Sequence, residues 1–182
     1  QGVSALIITP VQPDALPATI EAAHEAKIPV VIGDIGTAGD FDAYIQSNNR
    51  DGGALAAKYV IDNAGEAGKT VKAGVIELHA GSVVGEERVS EFKTAIEAAD
   101  GFELVASLDG NDTVEGGFQA ATDMLSANPD LSVIYAGNDA SAIGAQRALE
   151  SAGKSVADGF TLIGFDGSDD ALALIKEGKM SA

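Results

Sequence analysis

Several positions in this sequence place a polar side chain directly after a buried-type strand, where it can meet something outside the chain. Leu131, Val133, Ile134 and Tyr135 form an apolar, β-branched run bounded by Pro129-Asp130 and Gly137, and Asn138 and Asp139 follow it. Leu162-Ile163-Gly164-Phe165 is a second such run, ending in Asp166-Gly167, and Pro29 to Gly33 is a third, ending in Asp34. Carboxylates accept hydrogen bonds and an amide both donates and accepts, so these side chains suit the polar groups of a small molecule. Each also has a local explanation, helix capping for Asn138, Asp139 and Asp166 and a turn before Gly36 for Asp34. His79 follows the strand Val71 to Leu78 and either reaches a ligand or stands in a solvated loop.

Other patterns fail on context. Asn63 to Thr70, NAGEAGKT, ends like a phosphate-binding loop, but it begins on Asn and lies between a helix and a strand, the reverse of what phosphate cradling requires. Gly33, Gly36 and Gly39 follow a strand but lead into another strand rather than a helix, which weakens a dinucleotide reading. Asp109-Gly110-Asn111-Asp112 starts like a calcium loop, yet Thr113 and Val114 occupy the positions that need a ligand and a glycine. No G-x-S-x-G elbow is present, and His24 and His79 are not spaced as metal ligands. No catalytic constellation, metal or cofactor is expected.

The elements that must position these residues alternate. Val3 to Thr9 is a strand ending at Pro10; a helix begins near Asp14, with Pro17 in its first turn and Leu16, Ile20 and Ala23 on its apolar side. After Pro29 to Gly33 comes a short strand, Ala43 to Gln46, then Ser47-Asn48-Asn49 and a helix bearing Ala54, Ala57 and Ile61 that stops at Gly65. Strand then helix follows three times more: Val71 to Leu78 with Val89, Phe92, Ile96 and Ala99; Phe102 to Leu108 with Phe118, Ala121 and Leu125; Leu131 to Tyr135 with Ala142, Ala145 and Leu149, closed by Gly153 at a left-handed cap. The Asp166 unit adds a helix from about Ser168 to Gly178. This alternation predicts an α/β fold with parallel sheets, in which ligands bind beyond the carboxyl ends of the strands.

Composition narrows the function. The chain has 182 residues, enough for one ordinary domain or two small lobes, and no apolar run approaches a membrane span. A net charge of -17 repels nucleic acid and anionic membranes. With no cysteine, disulfides and thiol chemistry are excluded, which suits an extracytoplasmic protein without proving it. The sequence begins on Gln1 rather than Met, as in a processed or cut chain, so its lack of a leader is uninformative.

The ordered set ITPVQPDA, IPVVIGD, SNNRDGGALAAKYV, ERVSEF, YAGNDASAIGAQRAL and IGFDG resembles the periplasmic sugar-binding proteins of the ribose-binding type, type I solute receptors of ABC importers. That resemblance implies a two-lobed periplasmic-binding-protein type I fold, each lobe a parallel sheet with helices on both faces. Residues 1-48 would be part of the N-terminal lobe and 49-182 a nearly complete C-terminal lobe, with Ser47 to Asn49 as a hinge crossing. It implies sugar contacts at Asp34, Arg88, Asn138 and Asp166, suited to vicinal hydroxyls because arginine donates through a planar fork. Arg88, near the start of its helix, can point into a cleft while Phe92 and Ile96 pack; pairing with Glu87 or Glu91 on the surface is the alternative. The pattern departs at Ile35, which replaces an arginine, and at Asp112, which replaces a stacking aromatic. His79 and Asp112 are therefore weaker candidates, and a sugar or polyol other than ribose is the expectation.

The resulting expectation is an extracytoplasmic receptor that captures a polyhydroxylated ligand and delivers it to an ABC transporter permease. The alternatives are the sugar-sensing domain of a LacI-type regulator, which an upstream helix-turn-helix would mark, and an unrecognised α/β enzyme. Residues 1 to 48 contain one helix, too little to cover both faces of their strands. Apolar surface is thus expected around Leu6, Ile8, Val31 and Ile32 unless a second copy, by self-association, or absent pieces of the same protein cover it. The charge yields a direct prediction: at moderate salt this chain is not retained on duplex DNA, and tight, salt-sensitive retention in a filter-binding assay would contradict the whole reading.

Overall fold

The computed structural model describes residues 2-10, 14-65 and 68-182; Gln1, the Val11-Gln12-Pro13 part of ITPVQPDA, and Glu66 and Ala67 of NAGEAGKT lie outside the described residues. The chain divides into two compact units, Gln1–Asn49 and Arg50–Ala182.

The first unit is a three-stranded parallel sheet of β1 (Leu6–Ile8), β2 (Val30–Gly33) and β3 (Ala43–Ile45), in that order, with one helix, α1 (Pro17–Glu25). Leu16 rather than Asp14 caps α1, and Pro17 takes the first helical position, where its missing N–H costs nothing. Strand side chains alternate between faces, so one helix can cover only every second residue. Ile20 and Ala23 of α1 pack with Val30 and Ile32, joined by the half-buried Leu6 and Ile8. The opposite face carries Ile7 and Ile45, 81% and 67% exposed, with Val31 half-buried. This corrects the expected surface: Ile32 is fully buried and Leu6 and Ile8 are partly covered, because α1 lies on their side.

The second unit opens with α2 (Asn49–Ala64), whose first residue belongs to the first unit, and continues β4 (Val71–Glu77), α3 (Val83–Ala98), β5 (Phe102–Asp109), α4 (Val114–Ala127), β6 (Val133–Ala136), α5 (Asp139–Ser151), β7 (Thr161–Ile163) and α6 (Asp169–Lys176). Its sheet is wholly parallel, ordered β5-β4-β6-β7. Strands buried on both faces read as continuous apolar runs, as β6 and β7 do. Val71, Ala73, Val75, Val133, Tyr135 and Ile163 face Ala57 and Val60 of α2 and Val89, Phe92 and Ile96 of α3. Ile76, Ile134, Ala136 and Leu162 face α4, α5 and Ala171 of α6. Gly164 and Phe165 fall beyond the end of β7, shorter than the sequence suggested. Residues 181-182 run beside its outer edge, with Ser181 N–H donating to the Leu162 carbonyl at 2.8 Å and Gly164 N–H to that of Ala182 at 2.9 Å.

Helices α4 and α5 meet at their backbones. A Cβ on Gly144 would lie 2.1 Å from the Val114 carbonyl oxygen and 2.5 Å from the Phe118 nitrogen, neither of which can rotate away. Gly144→Ala therefore forces the two helices apart, and overpacking of this kind costs about 1–3 kcal/mol. A thermal or urea melt should show that loss; a variant as stable as the parent would mean that the helices separate freely.

Candidate functional site

The carboxyl ends of β4, β6 and β7 bring three of the expected residues together. The strand order reverses between β4 and β6, since β4 leads outward to β5 and the chain then returns past it; ligands of open α/β sheets meet the strand ends at such a reversal. Arg88, in the second turn of the helix after β4, is 8% exposed. Its Nη1 donates to the Gly137 carbonyl at 2.9 Å, just past β6, and to Asp166 Oδ1 at 2.8 Å, just past β7. Its guanidinium lies flat on Phe165, 3.8 Å from the ring centroid. The expected alternative for Arg88 is overturned: Glu87 and Glu91 pair instead with the exposed Arg50.

Asp166 uses both oxygens. While Oδ1 takes the Arg88 hydrogen bond, Oδ2 accepts from the backbone N–H of Asp139 at 3.0 Å. Asp139 returns the favour to the loop after β7, its Oδ1 accepting from Phe165 N–H at 3.0 Å and its Oδ2 from Ser168 N–H at 2.7 Å. Two strand-end loops are thereby locked together by reciprocal carboxylate–amide bonds, which are among the stronger hydrogen bonds. Asn138 is the N-cap of α5, its Oδ1 accepting from Ser141 N–H at 2.9 Å, while its amide nitrogen has no partner among the described residues. Capping and binding are compatible here because they use opposite ends of one amide.

A second pair sits at the ends of β4 and β5. Asp112 accepts from the backbone N–H of His79 at 3.1 Å and its other oxygen meets His79 Nδ1. Asn111 and Asp112 are both left-handed, at φ 49° and 55°, a conformation that non-glycine residues adopt at a cost. Asp34 belongs to the first unit. It is left-handed at φ 61°, its N–H bonds the Ile45 carbonyl at 2.8 Å, its own carbonyl accepts from Tyr44 Oη at 2.7 Å, and its exposed carboxylate makes no hydrogen bond among the described residues. The backbone is thus fixed while the carboxylate is left to solvent.

Sequence reasoning missed three contributors. The apolar run ending in Phe165 predicts a strand position, yet Phe165 leaves β7 to support Arg88; α2 meets the ring at Gly52, where a Cβ would lie 2.4 Å from it. Asp139, 4% exposed, acts as a loop clamp instead of a cap; its place directly after the cap residue Asn138 was the available sign. Tyr135 stacks on Phe92 at 4.4 Å between centroids, fully buried, its hydroxyl without a partner among the described residues. Burial pushes its phenol far above the usual range, opposed by the Arg88 charge and reinforced by that of Asp166, so it stays neutral.

Comparison with known proteins shows the family and the fold. The periplasmic binding protein domain model matches residues 1-182. The ribose import binding protein RbsB of Salmonella typhimurium is 37% identical over 185 residues, which cover 100% of this chain and 60% of that protein. RbsB of Bacillus subtilis is 33% identical over 183 residues, covering 100% of this chain and 57% of the relative. Among solved structures, an ABC transporter periplasmic solute binding protein from Actinobacillus succinogenes with bound D-allose superposes with a TM-score of 0.89 at 31% identity, covering 98% of this chain and 63% of that one. The Caulobacter myo-inositol binding protein bound to myo-inositol gives 0.82 at 28% identity, covering 99% and 61%. The chain thus spans about 60% of the length of the curated relatives it matches. With both its sequence along the full match and its parallel α/β units in accord, this chain belongs to the periplasmic binding protein domain family.

Proposed function

We propose that this chain is the larger part of an extracytoplasmic solute-binding protein that captures a sugar or similar polyhydroxylated small molecule and delivers it to an ABC importer. The observation that carries this reading is the Arg88–Asp166 pair, a buried guanidinium held by strand-end loops at the reversal of the sheet. Asp34, Arg88, Asn138 and Asp166 are its ligand-binding residues, with Asp112 and His79 beside them. The two units correspond to part of one lobe and most of another, and hinge motion between lobes encloses the ligand. Transport relatives support a binding role over catalysis, and those reported above are import binding proteins rather than regulators, which leaves the LacI-type alternative without support. The exposed Ile7 and Ile45 are the feature that favours self-association of this stretch taken alone.

Asp166→Ala leaves the buried Arg88 guanidinium without its countercharge, a loss of about 1–3 kcal/mol, and Arg88→Ala removes the donor that holds the Asp166 carboxylate in place. Calorimetry on the full-length protein should therefore show weaker sugar binding by both Arg88→Ala and Asp166→Ala. Unchanged affinity in the two variants removes the pair from the site.

A further inference from the structure

We propose that His79, oriented by Asp112, is the selectivity element of the second unit, pairing with one ligand hydroxyl through Nε2; this deepens the sugar-binding reading above and rests on it. Both residues lie just beyond paired strand ends, since Glu77 of β4 is in register with Asp109 of β5. They therefore share the sheet edge with Gly137, Asn138 and Asp166.

Three observations assign the roles. Asp112 meets His79 twice, at the backbone nitrogen and at the ring, so both of its oxygens are turned toward the histidine rather than outward. Two consecutive left-handed residues, Asn111 and Asp112, are tolerated in reaching that position, with Asn111 N–H held by Asp109 Oδ1 at 2.6 Å. A carboxylate at Nδ1 holds that edge of the ring, which leaves Nε2 as the ring nitrogen able to meet a ligand hydroxyl. The imidazole is about half exposed, with 47% of its side chain accessible, so Nε2 can be approached from outside.

The remainder of the edge is already engaged within the protein. Asp166 spends both oxygens on Arg88 and Asp139 N–H, Asp139 spends both on the loop after β7, and Asn138 Oδ1 caps α5. Those residues still offer the Asn138 amide as a donor and the remaining lone pairs of the exposed Asp166 carboxylate as acceptors. A hydroxyl over β4 and β5 is met at His79. A site built to pair a hydroxyl rejects an analogue that lacks it more strongly than apolar contacts can. Asp112 is a positioning residue in this scheme, acting through the ring it holds.

The test is titration calorimetry of the full-length protein against pentoses, hexoses and cyclitols, followed by the monodeoxy and mono-O-methyl analogues of each compound that binds. The parent is expected to reject one analogue series by about tenfold, the worth of one hydrogen bond with its unpaired partner. His79→Ala and Asp112→Asn should each bring that ratio to about one, and the double variant should do no more. Arg88→Ala should instead weaken parent compounds and analogues together. Analogue ratios unchanged in both single variants, with melting temperatures like the parent's, overturn the assignment while leaving sugar binding intact. A parent protein that binds no member of the panel overturns the functional reading, and this inference falls with it.

Discussion

A guanidinium taken almost wholly out of water has to have its charge and its donors met, and the second unit is built around meeting those of Arg88. Asp166 supplies the countercharge, Gly137 a carbonyl, and Phe165 a ring face. None of the three lies on the same helix as Arg88; they come from the loops after β6 and β7. Each loop must therefore hold its place before the arginine can hold its own. Asp139 secures that, because its carboxylate binds one loop while its backbone N–H binds the acid of that same loop. The pieces stabilise one another, so removing Asp166 leaves the buried Arg88 guanidinium without its countercharge.

The sheet beneath this network differs between the units for a simple reason of supply. In the second unit, α2 and α3 cover one face and α4, α5 and α6 the other, so alternating strand residues are buried whichever way they point. With α1 the only helix among its described residues, the first unit buries Val30 and Ile32 and leaves Ile7 and Ile45 in solvent. Close helix contact in the second unit depends on small residues: Gly144 lets α5 rest on the backbone of α4, and Gly52 lets α2 rest on Phe165. Packing of this second kind reaches the site directly, since the ring that α2 touches is the one under Arg88.

Acidity is used selectively. The chain carries 28 acidic residues against 11 basic ones, yet at the strand-end network the carboxylates of Asp139 and Asp166 are spent on backbone N–H groups and on Arg88. These acids thus hold the edge over β6 and β7 together even in a strongly acidic protein. At β4 and β5 the carboxylate of Asp112 is turned toward His79, which exchanges a charge for an oriented imidazole.

Periodicity was enough to show the parallel α/β class, because apolar runs and helical stripes record burial on each element alone. Ile20 with Ala23, and Ala142, Ala145 and Leu149, are buried as their spacing demands. Ser168 and Asn138 cap their helices for similarly local reasons. The motif resemblance reached further, to the family, and it named Arg88 and Asp166, which the structure brings into contact. What one dimension could not contain were choices between partners distant in sequence. Whether Arg88 paired with Glu87, Glu91 or Asp166 depended on the loop after β7 folding back, a separation of 78 residues. That Phe165 would leave its strand, that Asp139 would clamp instead of cap, and that His79 would find Asp112 across 33 residues were decided by strand order and register. A side chain's own spacing says which face it takes, but only the assembled sheet says what stands opposite it.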